Sequence, residues 1–229
     1  MTPKGKNFRQ LQDAILLFSE DAVLAEKNID TSDTPYNRRA MVRALFAMIE
    51  GTIFILKQMA LATAAHQNIL NTGELLLLEE KIPEITSKGE CRMQTKYINL
   101  KDNLTFVSHV IKRLHGFTLQ LGKDATHWEQ FEKTIKVRNR ITHPKDPNDL
   151  WVSDEDLKNI RAVSSWFFEL LVDAMEQLFT TIVVPRLHAI EQNVSLLSDS
   201  LKEISDAKIK ITVEQHLQEI RKILKNSEL

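Results

Sequence analysis

Arg138 and His143 are the residues of this 229-residue chain whose types and surroundings best suit chemistry. They close the run Lys136-Val137-Arg138-Asn139-Arg140-Ile141-Thr142-His143-Pro144-Lys145. Proline after His143 disfavours helical geometry at His143 itself, so the helix carrying Arg138 is expected to end there. The imidazole then stands at a helix C-terminus, where the dipole favours positive charge. Arg138 lies five residues earlier, so the helix end and its exit loop can bring both side chains to one pocket. A permanent guanidinium beside a titratable imidazole suits RNA cleavage. Histidine acts as base on a 2′-hydroxyl or as acid to the leaving oxygen, while arginine stabilises charge on the phosphoryl oxygens. The competing reading is a solvated basic helix end in which Arg138 simply pairs with a carboxylate.

Charge patterning supports the first reading. The whole chain carries 30 Lys+Arg against 31 Asp+Glu, which excludes a protein coated in positive charge. Residues 92–145, however, hold 11 Lys+Arg and 4 Asp+Glu, a local excess of +7 that ends at Arg138 and His143. Lys136, Arg140 and Lys145 are the candidates to steer RNA. Glu50 is the second informative residue, because it interrupts the most apolar stretch of the sequence. Arg43, Glu50 and Lys57 are seven apart and share a stripe of one helix. Glu50 therefore either faces Arg138 across a bundle or sits on a polar seam near Lys57.

The elements that must position these residues read as helices. Low Gly and Pro content, six each, argues against the many tight turns of an all-β fold. Asn7 to Glu26 shows amphipathic spacing, and Asn28 to Asp33 reads as a polar connector. Thr34-Pro35 is a start signal for a helix running to about Asn68, apolar on two sides and hence central. A short helix over Glu74–Lys81, an irregular stretch over Pro83–Thr95 and helices over Asp102–His115 and Ala125–Thr142 follow. Arg92–Leu100 has the weak signature of a strand or hairpin. Asp146–Asp149 is a turn cluster, and Ser153 with Asp156 resembles a capping box opening a helix that ends in the β-branched run before Pro185. In the tail, Leu187, Ile190, Val194, Leu197, Leu201 and Ile204 follow heptad spacing. The register then slips near Ile209–Val213, and Val213, Leu217, Ile220 and Leu224 resume out of phase. This seam either packs on its own bundle, or serves to dimerise or to bind a partner.

A central helix bearing Glu50, followed by a helix ending in Arg138, Asn139 and His143, resembles the HEPN domain (higher eukaryotes and prokaryotes nucleotide-binding). That family's motif is Arg, four to six residues with a polar residue favoured first, then His. The resemblance spans residues 35–182, with an N-terminal helix and connector over 1–34 and an amphipathic tail over 183–229 outside it. It implies an all-α, HEPN-like helical bundle that dimerises so that two motifs face each other. For active members it further implies metal-independent endoribonuclease activity leaving cyclic-phosphate ends, in a defence or toxin-like system. On this basis Arg138, His143, Asn139 and Glu50 are the catalytic candidates. In the subset paired with nucleotidyltransferase antitoxins a Tyr follows two residues after the His; here that residue is Lys145.

The expected partners are an RNA substrate, a second copy of the chain and a neutralising protein. No cofactor or metal is expected, since phosphate-binding Gly loops and clustered metal ligands do not occur. Cys91, the single cysteine, is read as inert. With no apolar leader at Met1–Lys6, and with Glu50 and Lys57 interrupting the apolar stretch, a cytoplasmic protein without a membrane segment is expected. The alternative function is a non-catalytic helical module that binds a protein or nucleotide.

Overall fold

A computed structural model describes residues 8–122, 126–201 and 218. The chain divides into two compact units, residues 1–173 and 174–229. In the larger unit the order is α1 (Phe8–Thr31), α2 (Pro35–Gln67), α3 (Thr72–Leu78), β1 (Lys81–Ile85), β2 (Cys91–Thr95), α4 (Leu100–His115) and α5 (Thr126–Thr142). A 3-10 turn (Pro147–Leu150) and α6 (Asp154–Leu178) follow, the last five residues of α6 falling in the smaller unit. The architecture is mostly helical, with one antiparallel hairpin pairing Lys81 with Thr95 and Ile85 with Cys91.

The long helix α2 is the centre of the unit. Thr34 caps it by accepting from the Asn37 amide at 3.2 Å, Pro35 fills the first turn, and Asn68 ends it in the left-handed region. Both of its apolar stripes are buried, through Val42, Leu45, Ile49 and Ile53 on one side and Met41, Met48 and Ile55 on the other. Residues 35–65 are long and apolar enough to cross a bilayer, but 61% of the apolar window is buried in the protein, as expected of a core helix.

Helix α1 extends five residues past the expected end at Glu26, to Thr31. Ala22, Ala25 and Ile29 continue its buried stripe at three- and four-residue spacing, and this outweighs the polar composition of Asn28–Thr31. The true connector is Ser32–Thr34, where the Asn37 side chain donates to the Asn28 and Ser32 carbonyls. Helix α1 packs directly on α2. The contact is close at Gly51: a Cβ there would lie 2.3 Å from Phe18 Cε2.

Helix α3 starts with a full capping box between Asn71 and Glu74 and ends at Leu78, short of Lys81, because Lys81 begins the hairpin. Ala60, Ala64, Leu70, Leu78, Val110 and Leu114 form one apolar cluster joining α2, α3 and α4. Helix α5 buries Phe131, Thr134, Val137 and Ile141. Phe131 lies 5.5 Å from the rings of both Trp128 and Trp166, which fixes α5 against α6.

In the smaller unit, helical structure continues past the expected stop before Pro185. Phe179–Val183 forms a π-turn and α7 runs from Val184 to Leu201. Thr180 and Thr181 donate their hydroxyls to the Glu176 and Gln177 carbonyls, a back-bonding that favours such a widened turn. Pro185 then falls in the first turn of α7, where it is tolerated. Of the heptad positions, Ile190 is exposed. The side chains of Leu187, Val194, Leu197 and Leu201, and everything from Ile204 to Leu217 as well as Ile220 and Leu224, lie outside the described residues.

Candidate functional site

Arg138 sits in the last turns of α5 and points at α2. Its Nη2 donates to Glu50 Oε1 at 2.6 Å, and its Nη1 donates to Asn139 Oδ1 at 3.1 Å. The guanidinium carbon lies 5.9 Å from the centre of the Phe46 ring. Phe46 and Glu50 are one turn apart on α2 and together present an aromatic face and a carboxylate to one cation. Of the two positions open to Glu50, the structure takes the one facing Arg138. Glu50 is not buried, however: its side chain is 43% exposed, and the ion pair opens to solvent at its edge. The charge buried inside α2 is Lys57, 1% exposed, which donates to Glu80 Oε1 at 2.8 Å.

The helix end follows the expectation set by Pro144. Helix α5 ends at Thr142, and the His143 amide still donates to the Asn139 carbonyl at 3.0 Å. The His143 imidazole is exposed and makes no hydrogen bond among the described residues. Its exit loop is held firmly. Asp149 Oδ2 accepts from the amides of Lys145 and Asp146, and Asp146 accepts from the Asn148 amide. From α2, Arg38 Nη1 donates to the Val152 carbonyl at 2.9 Å and Arg39 Nη1 to the Leu150 carbonyl at 3.3 Å. Arg38 also pairs with Asp33 and Asp154. The sequence offered no sign of this role for Arg38 and Arg39, because their partners are backbone carbonyls more than a hundred residues away.

The three proposed RNA-steering cations part company. Arg140 turns to α6, where its Nη2 donates to Asp156 Oδ2 and to the Trp151 carbonyl at 2.6 and 2.7 Å. It is a structural clamp between helix end and exit loop rather than a free cation. Ser153 and Asp156 form the expected capping box, with Ser153 Oγ accepting from the Asp156 amide and Asp156 Oδ2 from the Ser153 amide. Burial raises the Asp156 carboxyl, but the Ser153 amide and hydroxyl and the Arg140 guanidinium outweigh it and hold the group below the usual carboxylate range. Lys136 is exposed, two residues before Arg138 and so on a different side of α5, where its charge acts on Glu132. Lys145 is exposed beside His143 in the loop.

Much of the local positive charge is matched by carboxylates from elsewhere: Arg92 by Glu84, Arg113 by Glu74, Arg138 by Glu50 and Arg140 by Asp156. Lys96, Lys112, Lys136 and Lys145 form no ion pair among the described residues. Cys91 is an exposed free thiol at the start of β2. Among the described residues no three His, Cys, Asp or Glu side chains gather as metal ligands would.

Glu50 also lines an open groove of about 230 Å³. Helix α2 lines it with Glu50, Ile53 and Phe54, the turn before β1 with Glu80, the segment after β2 with Tyr97 and Ile98, and the start of α4 with Leu100 and Asn103. Glu50 thus belongs both to the Arg138 pair and to this groove. Comparison with family models, with curated proteins and with solved structures finds no match to the chain.

Proposed function

We propose that the protein is a metal-independent endoribonuclease of the HEPN type, active as a dimer in a defence or toxin-like system. The observation that carries this reading is the fixing of Arg138 by Glu50, Asn139 and Phe46, five residues before an exposed histidine on a braced loop. A guanidinium held on one side by a carboxylate keeps its remaining N–H groups directed outward, ready for phosphoryl oxygens. Preorganised donors of this kind stabilise charge that develops in a transition state without reorganising at the moment of reaction.

In the proposed reaction His143 takes the proton from a 2′-hydroxyl. The 2′-oxygen forms a bond to the adjacent phosphorus as the bond to the 5′-oxygen breaks. The departing oxygen takes a proton from a second acid, for which the His143 of a second copy is suited by two-fold symmetry. The products are a 2′,3′-cyclic phosphate and a 5′-hydroxyl. Arg138 binds the phosphoryl oxygens, Glu50 and Asn139 orient Arg138, and Lys145 adds positive charge beside His143. Lys136 and Arg140 contribute through the wider field and through the loop, respectively.

The test is purified protein with mixed RNA in excess EDTA, comparing wild type with Arg138→Ala and His143→Ala. Cleavage by wild type alone is expected. Equal cleavage by all three, or no cleavage by wild type after dissociation of any bound protein, rejects the assignment and favours a non-catalytic interaction module.

A further inference from the structure

We infer that the groove beside Glu50 is a base-binding subsite that selects guanine next to the scissile phosphate; the inference rests on the ribonuclease reading and specifies its substrate. The groove shares Glu50 with the Arg138 pair, so a nucleotide whose phosphate meets Arg138 has its base within reach of this groove. Two of its lining residues are aromatic and exposed, Tyr97 at 77% and Phe54 at 47%. Exposed aromatic rings at the edge of a phosphate-binding feature are the usual platforms on which unpaired bases stack.

The polar groups of the groove are acceptors in need of donors. Glu80 is held with its backbone in the left-handed region (φ 55°), a conformation costly for a non-glycine residue. Its carbonyl accepts from the Lys96 amide at 2.7 Å, and its Oε1 is anchored by the buried Lys57. Its second oxygen has no partner among the described residues, and the side chain remains 42% exposed. Asn103, only 8% exposed, has a side-chain oxygen without any hydrogen-bond partner among the described residues. An anchored carboxylate matches two adjacent N–H donors. Guanine alone among the standard bases offers these on its Watson–Crick edge, at N1 and at the exocyclic amine. Adenine and cytosine each place an acceptor beside their amine and so set a lone pair against the carboxylate.

The experiment measures calorimetric binding of GMP, IMP, AMP and CMP to the full chain, to Tyr97→Ala and to Tyr97→Phe. It is joined by cleavage mapping of an oligonucleotide carrying a single G, inosine or A. GMP is expected to bind roughly tenfold more tightly than IMP, which lacks the exocyclic amine. Tyr97→Ala should weaken GMP by about tenfold while Tyr97→Phe retains it, and cleavage should fall beside G. Four mononucleotides binding alike, no binding up to millimolar concentration, or GMP affinity unchanged in Tyr97→Ala overturns the inference. Cleavage indifferent to the base also overturns it while leaving the ribonuclease reading intact. Guanine-selective binding lost in Tyr97→Ala, without cleavage of any RNA, supports the subsite and rejects that reading alone.

Discussion

Removing the Glu80 carboxylate leaves the Lys57 ammonium charged and unpartnered in the core, and the cost of this can be worked from the structure. Lys57 is 1% exposed and its one ion-pair partner among the described residues is Glu80, at 2.8 Å. Breaking a buried pair from one side typically costs about 3–5 kcal/mol. Glu80 is 42% exposed, so water can follow into the space left by its side chain, and we expect about 2–3 kcal/mol for Glu80→Ala. Replacing the cation instead should behave differently. Lys57→Met keeps most of the stem volume, removes the desolvated charge and leaves Glu80 with access to solvent; the expected change is within about 1 kcal/mol of wild type. The double variant should lie close to Lys57→Met, because once the ammonium is gone the carboxylate has nothing to neutralise. Urea denaturation followed by circular dichroism gives all four free energies, with equal m-values as the control for an unchanged fold. A cost below about 0.5 kcal/mol for Glu80→Ala would refute the claim that the pair is buried and mutually dependent. So would a Lys57→Met variant as unstable as Glu80→Ala.

Three further outcomes are expected. Gly51→Ala adds a methyl group against Phe18, and overpacking of about 1–3 kcal/mol should exceed the gain of about 1 kcal/mol in helix propensity. Thermal denaturation should show a lower midpoint, and in a Phe18→Ala background the same substitution should stabilise. Ser153→Ala removes a side-chain cap from α6 and should cost about 1 kcal/mol in urea denaturation. Asp156 is held below the carboxylate range, so its contribution is present above the unfolded value of about 3.9 and is lost as pH falls through the lower folded value. Stability measured from pH 6 downward should therefore fall less steeply at acid pH in Asp156→Asn than in wild type, from a lower starting point.

Local signals were legible in the sequence wherever neighbours along the chain decide the structure. Thr34-Pro35 fixes the start of α2, Pro144 the end of α5, and Ser153 with Asp156 the start of α6, each through chemistry within four residues. The two apolar stripes of α2 likewise predicted its central place. What depends on packing register was not legible. Whether Glu50 meets Arg138 or Lys57 turns on how α5 lies across α2, and seven-residue spacing leaves both open. Arg140 and Arg138 look alike in sequence, yet one clamps the α6 cap and the other faces the candidate site. The extension of α1 to Thr31 depends on one apolar residue, Ile29, whose burial outweighs the four polar residues Lys27, Asn28, Asp30 and Thr31. Glu80 gave no signal at all, since its role follows from a left-handed turn that places it over the buried Lys57.

The central claim concerns the chemistry at Arg138 and His143, and the ends of the RNA fragments report on it most directly. Mass spectrometry of an oligoribonucleotide incubated with wild-type protein in EDTA should show 2′,3′-cyclic phosphate and 5′-hydroxyl termini. These termini should be missing with His143→Ala, and missing when the nucleotide at the scission carries 2′-deoxyribose. Fragments with 3′-hydroxyl and 5′-phosphate ends, or scission of the 2′-deoxy substrate, would contradict attack by the 2′-oxygen and with it the proposed role of His143.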